Sequence, residues 1–322
     1  MKKLILAVMA TAALALTACA PETAPATDVD YPKSGSTVKL IVPFAAGGTT
    51  DITARAFAPL LAEGLGTNVE VINTPGAGGQ IGLTALANAP ADGYTIGFTN
   101  LPSTIPTYLV KDRGAAYTKE SFVPIGGMAR TTNYFAVSAK SPHTSLKDLL
   151  EAAKATPGKI TVGVAGDDEQ LGVQAAAKSA GVTFNIVPFD SGSNKTTALL
   201  GNKVDAIVGG GTTVVPGVKN GDFRAIGIFG GSKDPFLPDV PTFKSLGIDI
   251  DINGYLAVSA PKGTSEQTIK KIEAAVEKAA SDSKFKEMVN AGFQEPLFFP
   301  SSDIESKWTA QQSTFENQLA AK

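Results

Sequence analysis

The chain carries one strand-and-turn phrase twice, as VKLIVPFAAGGTTD over residues 38–51 and as VEVINTPGAGGQ over residues 69–80. In each copy an apolar, β-branched run predicts a buried parallel strand, a Gly-Gly pair turns the chain, and a helical pattern follows. Two helix N-termini therefore open beside the same sheet edge. Their unpaired backbone N–H groups and the positive end of the helix dipole favour an anion. The sequence predicts a site there for a small molecule with a carboxylate.

Charge and cysteine content exclude several classes of protein. The 322 residues carry a formal net charge of −2, and removing Lys2 and Lys3 leaves 26 basic against 30 acidic side chains. Nucleic acid is not an expected partner, because no clustered run of Lys and Arg is present to neutralise phosphates. The length suits about two domains, and their cores must hold without disulfides because Cys19 is the only cysteine.

The N-terminus has the pattern of an export signal. Lys2 and Lys3 precede an uncharged stretch over residues 4–18, and LTAC over residues 16–19 resembles a bacterial lipobox. Residues 1–19 are thus interpreted as a lipoprotein signal peptide, cleaved so that Cys19 becomes the lipid-bearing N-terminus. A plain secretory signal and a transmembrane helix are the alternatives, although a span needs about 20 apolar residues. Residues 20–36, rich in Pro, Ala, Thr and Ser, are predicted to be a flexible linker.

From residue 38 onward, predicted strands and helices alternate. Strands over 39–44, 68–73 and 94–99 with helices over 50–64 and 81–88 follow the βαβ arrangement of a parallel sheet. After strands at 122–128 and 134–139, a second unit follows, with helices over 145–154, 170–180 and 196–201 and strands over 161–164, 184–187, 206–209 and 225–229. A strand over 255–259 is expected to return to the first unit. A helix over 265–280, with Thr264 as N-cap and Gln267 in a capping box, and helical stretches over 284–289 and 303–319 end the chain.

This order predicts two lobes joined by two hinge connections around a cleft. Lobe 1 is expected at residues 37–130 and 253–322, and lobe 2 at residues 131–252. The glycine turns would then line the cleft, because open α/β sheets bind ligands at the carboxyl ends of their strands.

Several short motifs follow one another along nearly the whole mature chain. They are VPFAAGG at 42–48 with Asp51 and Arg55, PGAGG at 75–79 with Gly82, ADGYT at 91–95, VPFDSG at 187–192, LGNKVD at 200–205, GDFRA at 221–225 and PDVPT at 238–242. In this order they resemble the substrate-binding receptors of tripartite tricarboxylate transporters, often called Bug-type receptors.

The resemblance implies an α/β fold of the periplasmic-binding-protein kind, a two-lobed Venus flytrap of type II-like topology. Each lobe would be a mixed, mostly parallel sheet flanked by helices. It also implies an extracytoplasmic, non-enzymatic receptor that captures a carboxylated metabolite and delivers it to a membrane permease. We expect it to be lipid-anchored through Cys19 and monomeric, and to need no cofactor or metal.

The candidate ligand-binding residues lie at the glycine turns and at the ends of later strands. They are Phe44, Ala46, Gly47, Gly48, Thr49, Thr50, Asp51, Ala77, Gly78, Gly79, Gln80, Asn100, Asn133, Gly166, Asp168 and Asp190. By family position, Asp51 is expected to bond loop amides and hold the first turn in shape. Asp190 is expected either to bind a ligand amine or hydroxyl or to cap the helix that follows it.

The segment AGDDEQL, residues 165–171, departs from the family pattern, in which a small-polar segment is often followed by His. Two interpretations stay open. The acidic side chains of Asp167, Asp168 and Glu169 stabilise a helix start on the surface, or at least one faces the cleft. In the second case it repels a second carboxylate and favours a ligand with a cationic or hydroxyl end.

Enzymatic alternatives lack the residues that they need. GAGGQIG over residues 76–82 has Ile81 where a dinucleotide-binding motif needs its third glycine. His143 is the only histidine, which excludes His-based triads and His-cluster metal sites. A nucleotide- or phosphate-using enzyme is therefore the weaker alternative, and a ligand sensor for a membrane signalling protein stays open beside the transport receptor.

Overall fold

The computed structural model of the protein describes residues 30–320 and contains two β-sheets flanked by helices. The strands are β1 (Thr37–Val42), β2 (Asn68–Asn73), β3 (Thr95–Phe98), β4 (Phe122–Thr131), β5 (Asn133–Ser138), β6 (Thr161–Val164), β7 (Asn185–Pro188), β8 (Ala206–Gly210), β9 (Phe223–Ile228), β10 (Gly254–Pro261) and β11 (Phe299–Pro300). The helices are α1 (Thr49–Leu65), α2 (Gln80–Ala87), α3 (Thr104–Leu109), α4 (Leu146–Ala155), α5 (Asp167–Ala180), α6 (Gly192–Leu200), α7 (Gly211–Lys219), α8 (Glu266–Ala280), α9 (Ser283–Ala291) and α10 (Ser301–Leu319).

Each sheet forms the centre of one lobe. The first, in the order β11-β4-β10-β3-β1-β2, belongs to lobe 1, and the second, in the order β7-β6-β8-β5-β9, belongs to lobe 2. Strand β1 runs parallel to β2 and β3, whereas β10 is antiparallel to β3 and β4. In lobe 2, β6 is parallel to β7 and β8, and β5 is antiparallel to β8 and β9. The predicted α/β two-lobed fold is confirmed, including the return of β10 to the first sheet.

The two connections between the lobes lie side by side. The first runs from the end of β4 at Thr131 to Asn133, and the second leads from β9 to Asn253 and β10. The backbone N–H of Asn133 donates to Asn253 Oδ1 at 3.0 Å, and Asn133 Nδ2 donates to the Ile252 carbonyl at 2.5 Å. Gln311 Nε2, from α10, donates to the Asn253 carbonyl at 2.9 Å. These bonds tie the two connections into one hinge, while the exact lobe boundaries stay predictions.

Some element ends differ from the prediction for identifiable reasons. Helix α5 begins at Asp167 and not at residue 170, because the acidic residues themselves form its first turn. Ser265, not Thr264, is the N-cap of α8, since its side chain accepts the Thr268 amide, while Thr264 Oγ1 donates to the Pro261 carbonyl. The short helix α3 and helix α7 were not predicted, because Pro106 and Pro216 interrupt their patterns.

The N-terminal predictions fall largely on residues outside the described range. The signal peptide, Cys19 and residues 20–29 of the linker lie there. Tyr31 is 6% exposed, and its hydroxyl donates to the Gly93 carbonyl at 2.8 Å. The packed chain therefore begins at Tyr31 and not at residue 37. Among residues 30–320, no helix is long and apolar enough to cross a membrane.

Candidate functional site

The first glycine turn lies at the carboxyl end of β1 and opens α1. Gly48 is the N-cap with extended backbone angles, and no side chain of the described residues caps it. Residues 45–49 are exposed. The start of α1 therefore presents backbone N–H groups to solvent, which is the arrangement that binds anions.

The second glycine turn leads from β2 into α2 and packs against the first. Its φ angles are 133° at Gly76, 66° at Gly78 and 99° at Gly79, which glycine adopts without strain, and 48° at Ala77, a left-handed conformation that is uncommon for alanine. A Cβ on Gly82 would lie 2.7 Å from Pro43 Cα, so only glycine permits the close approach of α2 to the first turn. The predicted pair of helix N-termini at one sheet edge is therefore present.

Asp51 holds the first turn in shape. Its Oδ2 accepts a hydrogen bond from the Gly47 amide at 2.8 Å, and its Oδ1 accepts one from Asn73 Nδ2 at 2.9 Å. Arg55 Nε lies 3.0 Å from Oδ1. The Gly47 amide, followed by Arg55 and Asn73, lowers the pKa of Asp51 to about 2. The carboxylate is committed to the loop, as expected, and it holds the turn in shape.

Glu169 holds the loop between β6 and α5 in the same way. Its Oε2 accepts a hydrogen bond from the Ala165 amide at 2.6 Å. Lys195 Nζ, which is buried, lies 2.6 Å from Oε1 and 2.5 Å from Oε2. Burial raises the pKa of Glu169 to about 7, against the opposing effect of Lys195. The third acidic residue of the segment therefore points into lobe 2, where it binds Lys195.

Asp167 and Asp168 lie at the interface of the lobes. Arg113, from the loop after α3 in lobe 1, donates through Nη2 to Asp167 Oδ2 at 2.5 Å. Gln80 Nε2 donates to the Arg113 carbonyl at 2.9 Å and so fixes that loop beside the second glycine turn. Burial raises the pKa of Asp168. Asp167 and Asp168 therefore face lobe 1 while they also form the first turn of α5, and a ligand contact by either stays a prediction.

Two cavities lie along this region. The hinge-side cavity, of about 140 Å³, is lined by Thr49, Thr50, Thr53, Asn100, Thr131 and Gln294 and by residues 101 and 254–256. The Arg113 cavity, of about 170 Å³, is lined by Gly78, Ser103, Pro106, Thr107, Arg113, Gly166, Asp167 and Asp168. Both include residues from the glycine turns or from the strand ends beside them.

The structure brings together many, but not all, of the predicted site residues. Thr49, Thr50 and Asn100 line the hinge-side cavity, and Gly78, Gly166 and Asp168 line the Arg113 cavity. Ala46, Gly47, Gly48 and Ala77 are exposed in the turns, Phe44 lies against Gly79, and Gln80 holds the Arg113 loop. Asn133 uses its amide nitrogen in the hinge. Asp190 is exposed and lines neither cavity, and the N-cap of α6 is Ser191. A ligand contact by these residues stays a prediction.

Sequence reasoning missed Arg113, Thr131 and Gln294. Each lies in a segment with no motif of its own, and the three segments are far apart in the chain. Thr131 meets Gln294 only because β4 and the segment before β11 are neighbours in the first sheet. The one indication that the sequence offered was the positive charge of Arg113 near the predicted cleft.

Comparison with known proteins finds relatives over most of the chain. The family model described as tripartite tricarboxylate transporter family receptor matches residues 53–321. The chain is 31% identical over 266 residues to a UPF0065 protein of Cupriavidus necator, covering 82% of this chain and 80% of that protein. It is 30% identical over 236 residues to the protein BugT of Bordetella pertussis, covering 72% of each. A crystal structure of a TctC solute binding protein from Polaromonas has a TM-score of 0.83 and 25% identity, covering 91% of this chain and 100% of that one.

Proposed function

Because the chain belongs to the tripartite tricarboxylate transporter receptor family, we propose that it captures a small carboxylate-bearing metabolite between its lobes and delivers it to a membrane permease. The family consists of solute-binding receptors, so the prediction that the chain is not an enzyme is confirmed. The observation that supports a carboxylate as the ligand is the pair of packed glycine turns at the starts of α1 and α2. Their exposed amides suit a carboxylate.

The helix starts alone are too weak to hold a ligand. Each contributes roughly 0.3–1 kcal/mol to binding of an exposed anion, and up to about 2 in a partly buried geometry. Micromolar affinity needs about 8 kcal/mol. The remainder must come from hydrogen bonds in a closed cleft, where lobe 2 approaches through residues 165–168. Closure about the hinge, with lobe 1 at residues 37–130 and 253–322 and lobe 2 at 131–252, is therefore part of the proposed mechanism.

A thermal-shift screen tests the ligand class. The mature protein, unfolded and refolded to remove carried-over ligand, is heated with members of a library of carboxylates and amino acids. Saturating ligand stabilises the folded state by RT ln(1 + [L]/Kd). A rise in Tm with one group of carboxylates supports the proposal. No rise with any carboxylate contradicts it.

A pair of glycine variants locates the site. Gly47 and Gly158 have φ angles of 80° and 73°, and a Cβ added to either meets nothing within 4 Å. Both substitutions to alanine therefore cost about 1–2 kcal/mol of backbone strain. Gly47→Ala lies in the first turn, and we expect it to weaken carboxylate binding at least tenfold, whereas the matched control Gly158→Ala keeps wild-type affinity. Equal affinities in the two variants would remove the turn from the site.

The cellular setting completes the proposal. Family membership supports an extracytoplasmic receptor, and the lipobox pattern supports an anchor at Cys19, outside the described residues. We expect Cys19→Ser to move the protein from the membrane fraction to the soluble fraction.

A gene deletion tests the transport role. We expect deletion of the gene to abolish uptake of the ligand found in the screen. Uptake that persists while ligand-dependent gene expression is lost would favour the sensor. Light scattering is expected to give a monomer.

A further inference from the structure

Strand β7 forms an open edge of the second sheet. It pairs with β6 on one side, and no strand of residues 30–320 lies on its other side. The backbone N–H groups of Asn185 and Phe189 donate toward β6, each at 2.8 Å. Because the hydrogen-bonding groups of successive residues in a strand alternate in direction, the N–H groups of Phe184 and Ile186 point to the open side. Such a row of backbone groups is a template for a further strand.

The other three edges of the two described sheets are protected. β2 carries the exposed charge of Glu70. β11 is two residues long and includes Pro300. β9 is covered at Ile228, which forms a bridge with Thr242. Charge, proline, short length and a covering segment are the means by which proteins keep sheet edges from pairing. The edge of β7, by contrast, has no charged side chain over residues 182–189.

A groove of about 680 Å³ lies between β7 and α5. Val182, Phe184 and Ile186 line it at alternate positions and are half-buried. An added strand presents its own side chains with the same period of two, so it can match this row. Pro188, at the last position of β7, lacks an N–H group and therefore sets the end of the pairing.

The charge of the groove selects among possible strands. Lys178 is exposed and is the only charged residue among those that line the groove. A second copy of the chain would bring a second Lys178, and no acidic side chain, to the paired edges. Extracytoplasmic loops of membrane proteins are poor in Lys and Arg, because these residues concentrate in the cytoplasmic loops. A loop of that kind with an acidic side chain complements Lys178.

We propose that the open edge of β7 is a docking site for an extended, acidic extracytoplasmic segment of the permease, which adds to the second sheet as a strand. The proposed delivery to a permease is its premise, and the edge is the surface through which lobe 2 meets that partner. Backbone bonds of Phe184 and Ile186 provide affinity, and the side-chain row with Lys178 provides selectivity. Phe184, Ile186 and Lys178 line neither the hinge-side cavity nor the Arg113 cavity, so ligand capture does not depend on them.

Hydrogen exchange tests the added strand at its own backbone. The mature protein is measured alone, with empty lipid nanodiscs, and with nanodiscs that contain the permease, each with the carboxylate from the thermal-shift screen. We expect the amides of Phe184 and Ile186 to exchange rapidly in the free protein and about tenfold or more slowly with the permease.

The other exchange patterns overturn the inference in distinguishable ways. Slow exchange at both amides in the free protein would mean that the chain itself covers the edge, and equal protection by empty nanodiscs would assign the edge to lipid. Protection by the permease elsewhere but not at β7 would overturn the docking site and leave the proposed function standing. Protection nowhere in the receptor would contradict the proposed function as well.

Two pairs of variants separate docking from ligand capture. Lys178→Glu should weaken permease binding about tenfold or more and keep wild-type affinity for the carboxylate. Its matched control, Lys154→Glu, changes an exposed lysine of α4 that lies outside the groove and should keep both affinities. Ile186→Pro removes the outward N–H and should also weaken permease binding, whereas Ile186→Val keeps that group and the affinity. Wild-type permease affinity in Lys178→Glu, or in an Ile186→Pro variant that still binds the carboxylate, would overturn the inference.

Discussion

The starts of α1 and α5 use the same hydrogen bond in different surroundings. Asp51 and Glu169 each occupy the third position of their helix, and each accepts the amide four residues earlier, from Gly47 and Ala165. Asp51 is balanced by Arg55, whose side chain is 55% exposed, and Glu169 by Lys195, whose side chain is 2% exposed. The pKa of Asp51 falls to about 2, whereas that of Glu169 rises to about 7.

The difference shows that the balance between hydrogen-bond donors and desolvation, and not the one bond that the two residues share, decides the pKa of each carboxylate. Asp51 is itself buried, with 3% of its surface exposed, but the Gly47 amide, Arg55 and Asn73 all donate hydrogen bonds to its ionised form and outweigh the desolvation. Glu169 lies within lobe 2, where desolvation outweighs the donors and Lys195. Both loops are shaped by a carboxylate set behind them, which leaves the exposed amides for a ligand.

The largest effect is expected at Lys195. Lys195→Met leaves the carboxylate of Glu169 buried without its cation, and removing one partner of a buried pair costs about 3–5 kcal/mol. Urea unfolding measures the loss. Lys178→Met is the control, because Lys178 is an exposed lysine of α5, the helix that carries Glu169, and the change should affect stability little. The double variant Lys195→Met/Glu169→Gln should recover part of the loss. A small effect of Lys195→Met alone would mean that the pair is not buried in solution.

The second prediction concerns opposite slopes of stability against pH. The folded pKa of Asp51, about 2, lies below its ordinary value of 3.8, so its stabilisation is present above about pH 4 and is lost as the pH falls toward 2. The folded pKa of Glu169, about 7, lies above 4.5, so its contribution to stability falls as the pH rises from about 4.5 to 7.

Thermal unfolding of the variants separates the two slopes. We expect Asp51→Asn to flatten the dependence of Tm on pH between 2 and 4, and Glu169→Gln to flatten it between 4.5 and 7. Each variant serves as the control for the other, because each should leave the other window unchanged. Slopes of the same sign in both windows would contradict the contrast between the lobes.

The smallest effect is expected at the ion pair between the lobes. Arg113 and Asp167 are 34% and 37% exposed, so solvent screens their attraction. A double-mutant cycle with Arg113→Ala and Asp167→Ala should give a coupling free energy below about 1 kcal/mol that decreases with salt. The pair Lys147–Glu151, 3.9 Å apart within α4, should give a smaller coupling. A coupling of several kcal/mol would mean that Arg113 is buried in the closed protein.

Much of lobe 1 was predictable because its signals are local. The pattern over residues 38–99 predicts β1, α1, β2, α2 and β3 with small errors at their ends. Hydrophobic periodicity and the positions of glycines depend only on residues close together in sequence. The bond from Asp51 to the first turn was expected from the family resemblance. In lobe 2, the start of α5 was misplaced because the acidic residues were taken to precede the helix, whereas they form its first turn.

The sequence by itself determined the α/β class, the two lobes and the pair of glycine turns, because these depend on hydrophobic periodicity and turn chemistry within a few residues of one another. Only the tertiary structure decided that Glu169 turns inward to Lys195, that Arg113 meets Asp167, and that Asn100, Thr131 and Gln294 share one cavity. These contacts join segments far apart in the chain. Their energies come from burial and from pairing across the fold, which no short window of sequence contains.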